Sequence, residues 1–267
     1  MKTYNSSRRT YTISPYVLLL LLFVSIGSSC SKNNDPDQEV DIPTDEKMFN
    51  RLITVSNFGE SLPEGAKPDS EQEPIFFSLE QNQAISQTLK RTNRWDLSFS
   101  SVYRSYVGGN NGSNKDNFGF GGPGLGAVFL VKKKFEDVID IPPNENFSTL
   151  SVAFGPDENG DIGDKIGWYL YDFSGLLVRD GTFDNEHIAY ALDKELSITT
   201  TNGTKKTIEP RTIIVRTAKG NYAKIRIRSL YKNELDRDKW KRKTEKPFFT
   251  FDYVLAKAGS TKFEIKN

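Results

Sequence analysis

Alternation of apolar and polar residues with a period of two recurs along this chain and constrains its fold more than any other feature. In the segment Trp95 to Ser100, the side chains of Trp95, Leu97 and Phe99 are predicted to share one face of a strand. No long stretch shows the 3.6-residue period of an amphipathic helix. The sequence therefore predicts an antiparallel, all-β domain. Further strand candidates are Arg51 to Ser56, Ile75 to Leu79, Gly126 to Val131, Gly167 to Phe173, Leu196 to Thr200 and Phe249 to Leu255.

The clearest single element is a hairpin near the C-terminus. Arg211 to Thr217 and Tyr222 to Tyr231 flank a short turn, Ala218 to Asn221, whose glycine tolerates positive φ. The second strand places apolar residues on one face and basic residues on the other, and the basic face is predicted to be solvated or to bind ligand carboxylates. Its residues are Lys224, Arg226 and Arg228.

Two segments interrupt the strand pattern. The charge-dense run Lys232 to Lys246 is a candidate for a helix or for a solvated loop. The glycine-rich run Gly108 to Gly126 is predicted to be a mobile loop or a finger that covers a ligand. It contains the pattern G-x-G-x-x-G, but a strand follows that pattern, so a dinucleotide site is excluded.

Cys30, the only cysteine, predicts a bacterial lipoprotein. Basic residues and a short apolar run precede it, and small residues stand directly before it, as lipid attachment requires. We expect a signal peptide over residues 1–29, a tether over 30–47 that is lipidated at Cys30 with acyl chains such as palmitate, and one domain over 48–267. The alternatives are ordinary signal cleavage and a short membrane anchor.

Composition excludes several classes of protein. Without the three basic residues of the first 29, the chain has 33 Lys and Arg against 35 Asp and Glu, a net charge of −2. That balance gives no support for nucleic-acid binding. The predicted mature domain has a single histidine, His187, and a single methionine, Met48, so metal sites with several histidine or cysteine ligands are excluded. No G-x-S-x-G motif accompanies His187, so a non-enzymatic protein is favoured.

Several segments together resemble the HmuY family of outer-membrane lipoproteins. They are Phe76 to Leu79, Arg94 to Phe99, Gly124 to Val128, Gly167 to Asp172, Arg216 to Lys224 and Phe249 to Val254. The resemblance implies a hand-shaped, all-β domain that binds haem, serves iron acquisition and passes haem to a TonB-dependent receptor.

The resemblance also implies axial iron ligands, and here the sequence departs from the family. Histidine-ligated members have a ligand a few residues after the tryptophan that matches Trp168, and the corresponding residue here is Phe173, which cannot coordinate iron. The remaining candidates are His187, with Met48, a tyrosine such as Tyr169 or Tyr171, or water opposite it, and no metal is expected beyond haem iron. His187 has a second interpretation as a surface residue paired with Glu186.

The sequence therefore predicts a lipid-anchored haem-binding protein of the outer membrane. Two alternatives stay open. One is a surface lipoprotein that binds carbohydrate, and the other is an adaptor of an outer-membrane receptor with no small ligand.

Overall fold

Antiparallel strands dominate the computed structural model of the chain, which describes residues 42–61 and 70–266. The predicted all-β fold is confirmed. Helical structure within these ranges is confined to 3₁₀ turns of three residues each. The predicted signal peptide, Cys30 and residues 30–41 of the predicted tether lie outside the described residues.

The larger sheet has five antiparallel strands: β1 (Leu52–Gly59), β6 (Ala127–Val131), β11 (Thr212–Arg216), β12 (Tyr222–Ser229) and β13 (Phe248–Ala256). Their order in the sheet is β1-β13-β12-β11-β6. The predicted hairpin forms its centre, because β11 pairs with β12 around a turn in which Gly220 has φ of +87°. The Thr217 amide donates to the Asn221 carbonyl across 2.8 Å and closes that turn.

A second antiparallel sheet consists of β2 (Glu71–Ser78), β3 (Gln83–Ile85), β4 (Leu97–Val102) and β5 (Tyr106–Gly109). Their order in the sheet is β3-β2-β4-β5. Because β4 begins at Leu97, Trp95 precedes the strand, and its ring packs on Phe76 with 4.4 Å between ring centroids.

Two hairpins complete the domain. β7 (Tyr169–Asp172) pairs with β8 (Ile188–Ala191), and β9 (Leu196–Thr199) pairs with β10 (Lys205–Ile208). The run Lys232 to Lys246 is the connection between β12 and β13, and it holds a single 3₁₀ turn, Arg237–Lys239. Its loop interpretation is therefore correct.

Aromatic side chains from several strands fill the core. Phe99 stacks on Phe249 with 4.0 Å between ring centroids, while Phe58 and Phe77 pack edge-on at 4.9 Å. Trp168 extends this cluster by contacting Phe249 at 6.2 Å. Aromatic rings bury large apolar areas and so stabilise this core.

The expectation of a solvated basic face on β12 is wrong for Lys224, while Arg226 and Arg228 are half-buried. Lys224 is only 4% exposed, and its Nζ donates to the carbonyl oxygens of Phe135 and Val138, each at 2.8 Å. Arg226 donates through Nε to Asp252 at 2.8 Å. The chain that follows β6 folds across this face and covers it.

The glycine-rich segment is closely packed. Three asparagine side chains in it donate hydrogen bonds to backbone carbonyls: Asn110 to Trp95, Asn111 to Gly126 and Asn117 to Gly109. An added Cβ at Gly112 would lie 1.7 Å from the carbonyl oxygen of Gly122. Glycine is needed here for close approach of backbone to backbone, so the expectation of a mobile loop has no support in this packing.

Candidate functional site

A cavity with a volume of about 690 Å³ opens to solvent on the described part of the chain. Its walls come from the β4-β5 turn, the loop before β7, both ends of the β7-β8 hairpin and the end of the β12-β13 connection. Volumes of about 300–1,000 Å³ are usual for sites that bind small molecules and cofactors. The side chains that line it include Tyr103, Tyr106, Ile162, Tyr169, Tyr171, Phe173, His187, Arg242, Glu245 and Lys246.

The β4-β5 turn supplies the first wall in a strained conformation. Tyr103 and Arg104 have φ of 53° and 51°, the left-handed values that a type I′ turn requires at both central positions. This conformation costs a non-glycine residue about 1–2 kcal/mol. Arg104 offsets the cost through an ion pair with Glu60 at 2.8 Å and a hydrogen bond to the Glu73 carbonyl at 2.9 Å. The turn thereby holds Tyr103 at the cavity.

Strand β7 supplies Tyr169 and Tyr171, which alternation places on one face of the strand. Tyr169 is buried and its hydroxyl lies 2.9 Å from Ser105 Oγ. Burial raises the pKa of Tyr169 far above its ordinary value, although the hydrogen bond with Ser105 opposes the shift. Tyr171 is half-buried and more accessible from the cavity. A phenolate is therefore disfavoured at Tyr169.

His187 lies directly before β8, opposite the end of β7. Its amide donates to the Phe173 carbonyl at 3.1 Å, and its φ of 57° is left-handed. Its Nδ1 is 2.8 Å from the Tyr171 hydroxyl. An imidazole and a phenol are thus joined at the cavity wall.

The charge state of His187 follows from its surroundings. Burial lowers the pKa of His187, the cations Arg242 and Lys246 lower it further, and Glu186 opposes them. The neutral imidazole is favoured. Glu186 pairs with Arg242, so the interpretation of His187 as the partner of Glu186 has no support here.

Two basic residues from the β12-β13 connection line the same cavity. The Arg242 guanidinium lies over the Phe183 ring at 4.1 Å and pairs with Glu186. Lys246 Nζ donates to the Arg242 carbonyl at 2.7 Å and lies 5.4 Å from the centre of the Tyr231 ring. Burial and the nearby Arg242 lower the pKa of Lys246 to about 8.

The structure brings together all three residues that the sequence nominates for haem, because Tyr169, Tyr171 and His187 line the same cavity. Other candidates lie elsewhere. Met48 packs against the hydrophobic core and does not line the cavity. The basic face of β12 and the glycine-rich segment contribute nothing to the cavity walls either, so neither the carboxylate-binding role nor the ligand-covering finger finds support.

The model of the HmuY protein family matches residues 70–253. The chain belongs to the HmuY family. No curated protein matches it. Similar solved structures include a proposed HmuY-like haem-binding protein from Bacteroides vulgatus ATCC 8482, with 14% identity, a TM-score of 0.31, and coverage of 80% of this chain and 95% of that chain. The apo HmuY analog of Tannerella forsythia shows 12% identity, a TM-score of 0.33, and coverage of 78% and 97%. A proposed lipoprotein from Bacteroides fragilis NCTC 9343 shows 15% identity, a TM-score of 0.30, and coverage of 77% and 91%.

Membership of the HmuY family supports a ligand-binding protein. Within residues 42–61 and 70–266, no group of three or more His, Cys, Asp or Glu side chains could hold a metal ion. No helix in these ranges is long and apolar enough to cross a membrane.

Sequence reasoning missed much of the cavity of this HmuY protein. Tyr103 lies within a turn that lacks the usual Asn-Gly signal, and Tyr106 follows that turn. Arg242 and Lys246 lie in a long connection without periodicity. The one available signal was the basic cluster at the end of that connection. Phe173, recognised as the position that lacks an iron donor, is 52% exposed and packs edge-on against His187 at 4.5 Å.

Proposed function

We propose that this HmuY protein binds haem in the 690 Å³ cavity and serves haem acquisition. The observation that carries the proposal is the Tyr171–His187 pair at the wall of an aromatic cavity, with its two ring systems joined by a hydrogen bond of 2.8 Å. Family membership supports the same ligand class.

The donor set fits a haem that would be held by one of these two residues, because the Tyr171 hydroxyl and His187 Nδ1 are hydrogen-bonded to each other at 2.8 Å. Phenolate and neutral imidazole are both donors that haem iron accepts in proteins. Tyr171 and His187 are the residues that would hold the iron, and Tyr169 is less suited because its hydroxyl is buried and bonded to Ser105. Bound haem would supply the iron that these donors coordinate.

The same wall supplies contacts for a flat ring. Tyr103, Tyr106 and Phe173 present aromatic surface to the cavity, and Ile162 adds an exposed apolar side chain. Aromatic rings gain about 0.5–1.5 kcal/mol per stacked or edge-on pair beyond the area they bury.

Ligation by two histidines of one chain is excluded because His187 is the only histidine. We therefore expect a five-coordinate or mixed-ligand ferric spectrum, mainly high-spin. A low-spin bis-histidine spectrum from monomeric, tag-free protein would contradict this assignment.

A haemin titration of the purified full chain tests the proposal. We expect a Soret band that saturates at one haemin per chain. Tyr171→Phe and His187→Gln should each weaken haemin binding by about tenfold, the effect of losing one interaction worth about 1.4 kcal/mol. Tyr222→Phe is the matched control, because Tyr222 bonds Asn144 and does not line the cavity.

The alternatives predict other results. No Soret band, together with retarded migration in glycan affinity electrophoresis, would favour the carbohydrate-binding protein. Absence of both would favour the receptor adaptor.

The proposal includes a lipid anchor at Cys30 and residence at the outer membrane, with a TonB-dependent receptor as the recipient of haem. The motif before Cys30 supports the anchor. Cys30→Ala should release the protein from the membrane fraction, and a variant still extracted only by detergent would show that another element holds it.

A further inference from the structure

The charged groups around the cavity leave one cation without a counter-charge. Arg242 is paired with Glu186, and Glu245 is paired with Lys232 at 3.0 Å. Lys246 makes no ion pair with any residue in the described ranges, and it contacts the Arg242 carbonyl and the Tyr231 ring.

An uncompensated ammonium group in a half-buried position is costly. Charges withdrawn from water need a partner of opposite charge or hydrogen bonds that replace the lost solvation. One hydrogen bond to a carbonyl meets only part of the capacity of Lys246, which has three donors. Its lowered pKa agrees with this incomplete compensation.

The surroundings of Lys246 indicate which group could pair with its ammonium. Its neighbours on the cavity wall include Tyr171 and His187. No carboxylate of the described chain pairs with it, so an anion must come from the ligand. A carboxylate is suited because an ammonium–carboxylate hydrogen bond is about twice as strong as a neutral one.

We propose that Lys246 is the anion-binding residue of this cavity and that it selects planar ligands that carry a free carboxylate. The inference rests on the proposed function, because it takes the cavity as the ligand site, but it does not depend on iron. Lys246 would then take the carboxylate-binding role expected of the basic face of β12, where Lys224 is covered by the chain after β6.

The test compares two metal-free ligands that differ only in whether their two propionates are free carboxylates or methyl esters. Protoporphyrin IX and its uncharged dimethyl ester are titrated into the full chain, and binding is followed by porphyrin fluorescence. We expect the diacid to bind at least about tenfold more tightly than the ester, the size of one charge-assisted hydrogen bond.

Three variants assign this preference to one residue. Lys246→Met should abolish the preference by weakening only the diacid, while Lys246→Arg should retain it. Lys243→Met is the matched control, because Lys243 is exposed, lies three residues away and does not line the cavity. Lys246→Met should not lower the melting temperature, since it removes an unpaired charge.

The outcomes separate the two proposals. Equal binding of the diacid and the ester by the wild type, or an equal loss of both in Lys246→Met, overturns the role of Lys246 and leaves the cavity as a porphyrin site. Binding of neither porphyrin, and no Soret band with haemin, overturns the proposed function and this inference with it.

Discussion

Asp157 and Arg211 form an ion pair of 2.8 Å in which both side chains are almost completely buried. Asp157 also accepts hydrogen bonds from Asn159 and from the amide of Gly167. Its own amide donates to the Tyr169 carbonyl at 2.7 Å. The pair therefore fixes the loop before β7, which forms one wall of the cavity.

Asp157→Asn is expected to lower the free energy of unfolding by about 3–5 kcal/mol, because it leaves the Arg211 charge buried without a counter-charge. Urea unfolding measures the change. Glu264→Gln is the control, since its pair with Lys266 is exposed and should contribute less than about 1 kcal/mol. A similar small loss in Asp157→Asn would show that water reaches Arg211.

Tyr103→Gly separates stability from binding. Glycine adopts the left-handed conformation without the cost of about 1–2 kcal/mol that tyrosine bears, so we expect the free energy of unfolding to be unchanged or higher. Haemin affinity should fall, because one aromatic wall is lost. Arg104→Ala in the same turn keeps a Cβ at positive φ and should instead destabilise the domain by removing the contacts with Glu60 and Glu73. Equal destabilisation by both variants would contradict the assigned division of roles.

The packing of the glycine-rich segment can be tested at two of its glycines. Gly112→Ala places a Cβ against the carbonyl oxygen of Gly122 and should cost about 3 kcal/mol or more. Gly121→Ala meets no atom within 4 Å, and its φ of +83° limits the cost to about 1–2 kcal/mol. Thermal unfolding of the two variants decides the point, and near-equal melting temperatures would indicate a loose loop.

Stability should depend on pH through Asp96, which lies buried beside Glu80. Burial, followed by the negative charge of Glu80, raises the pKa of Asp96 to about 7. A carboxyl whose pKa is raised on folding contributes stability below its ordinary pKa of about 4 and loses it as the pH rises towards 7. We therefore expect this contribution to decline between pH 4 and pH 7.

Glu80→Gln checks this pH dependence. It removes the negative charge and keeps an oxygen that can accept from Thr217 and Asn221. Relative to the wild type, the variant should gain stability as the pH rises from 4.5 to 8 in urea unfolding. Parallel profiles over that range would show that Glu80 and Asp96 do not interact.

Local patterns explain what could be predicted from the sequence. The Ala218–Asn221 turn and its flanking strands follow from alternation and one glycine, and the shared face of Tyr169 and Tyr171 follows from the period of a strand. Loops carry no such period. The approach of Lys246 to the β7-β8 hairpin, and the covering of Lys224 by the chain after β6, depend on contacts between residues far apart in the sequence, so neither could be predicted.

The cavity walls are built mostly from connections between strands, while the stacked rings of Phe99 and Phe249 belong to the sheets. The residues proposed to bind the ligand and the residues that stabilise the core thereby lie in different parts of the chain. Substitutions at Tyr103, Phe173 or Lys246 can alter which molecule is retained without disturbing the aromatic interior. Under the proposed function, exchanging these connections would change the bound ligand while the sheets stay the same, and a residue such as Phe173 would then affect ligand chemistry without affecting the fold.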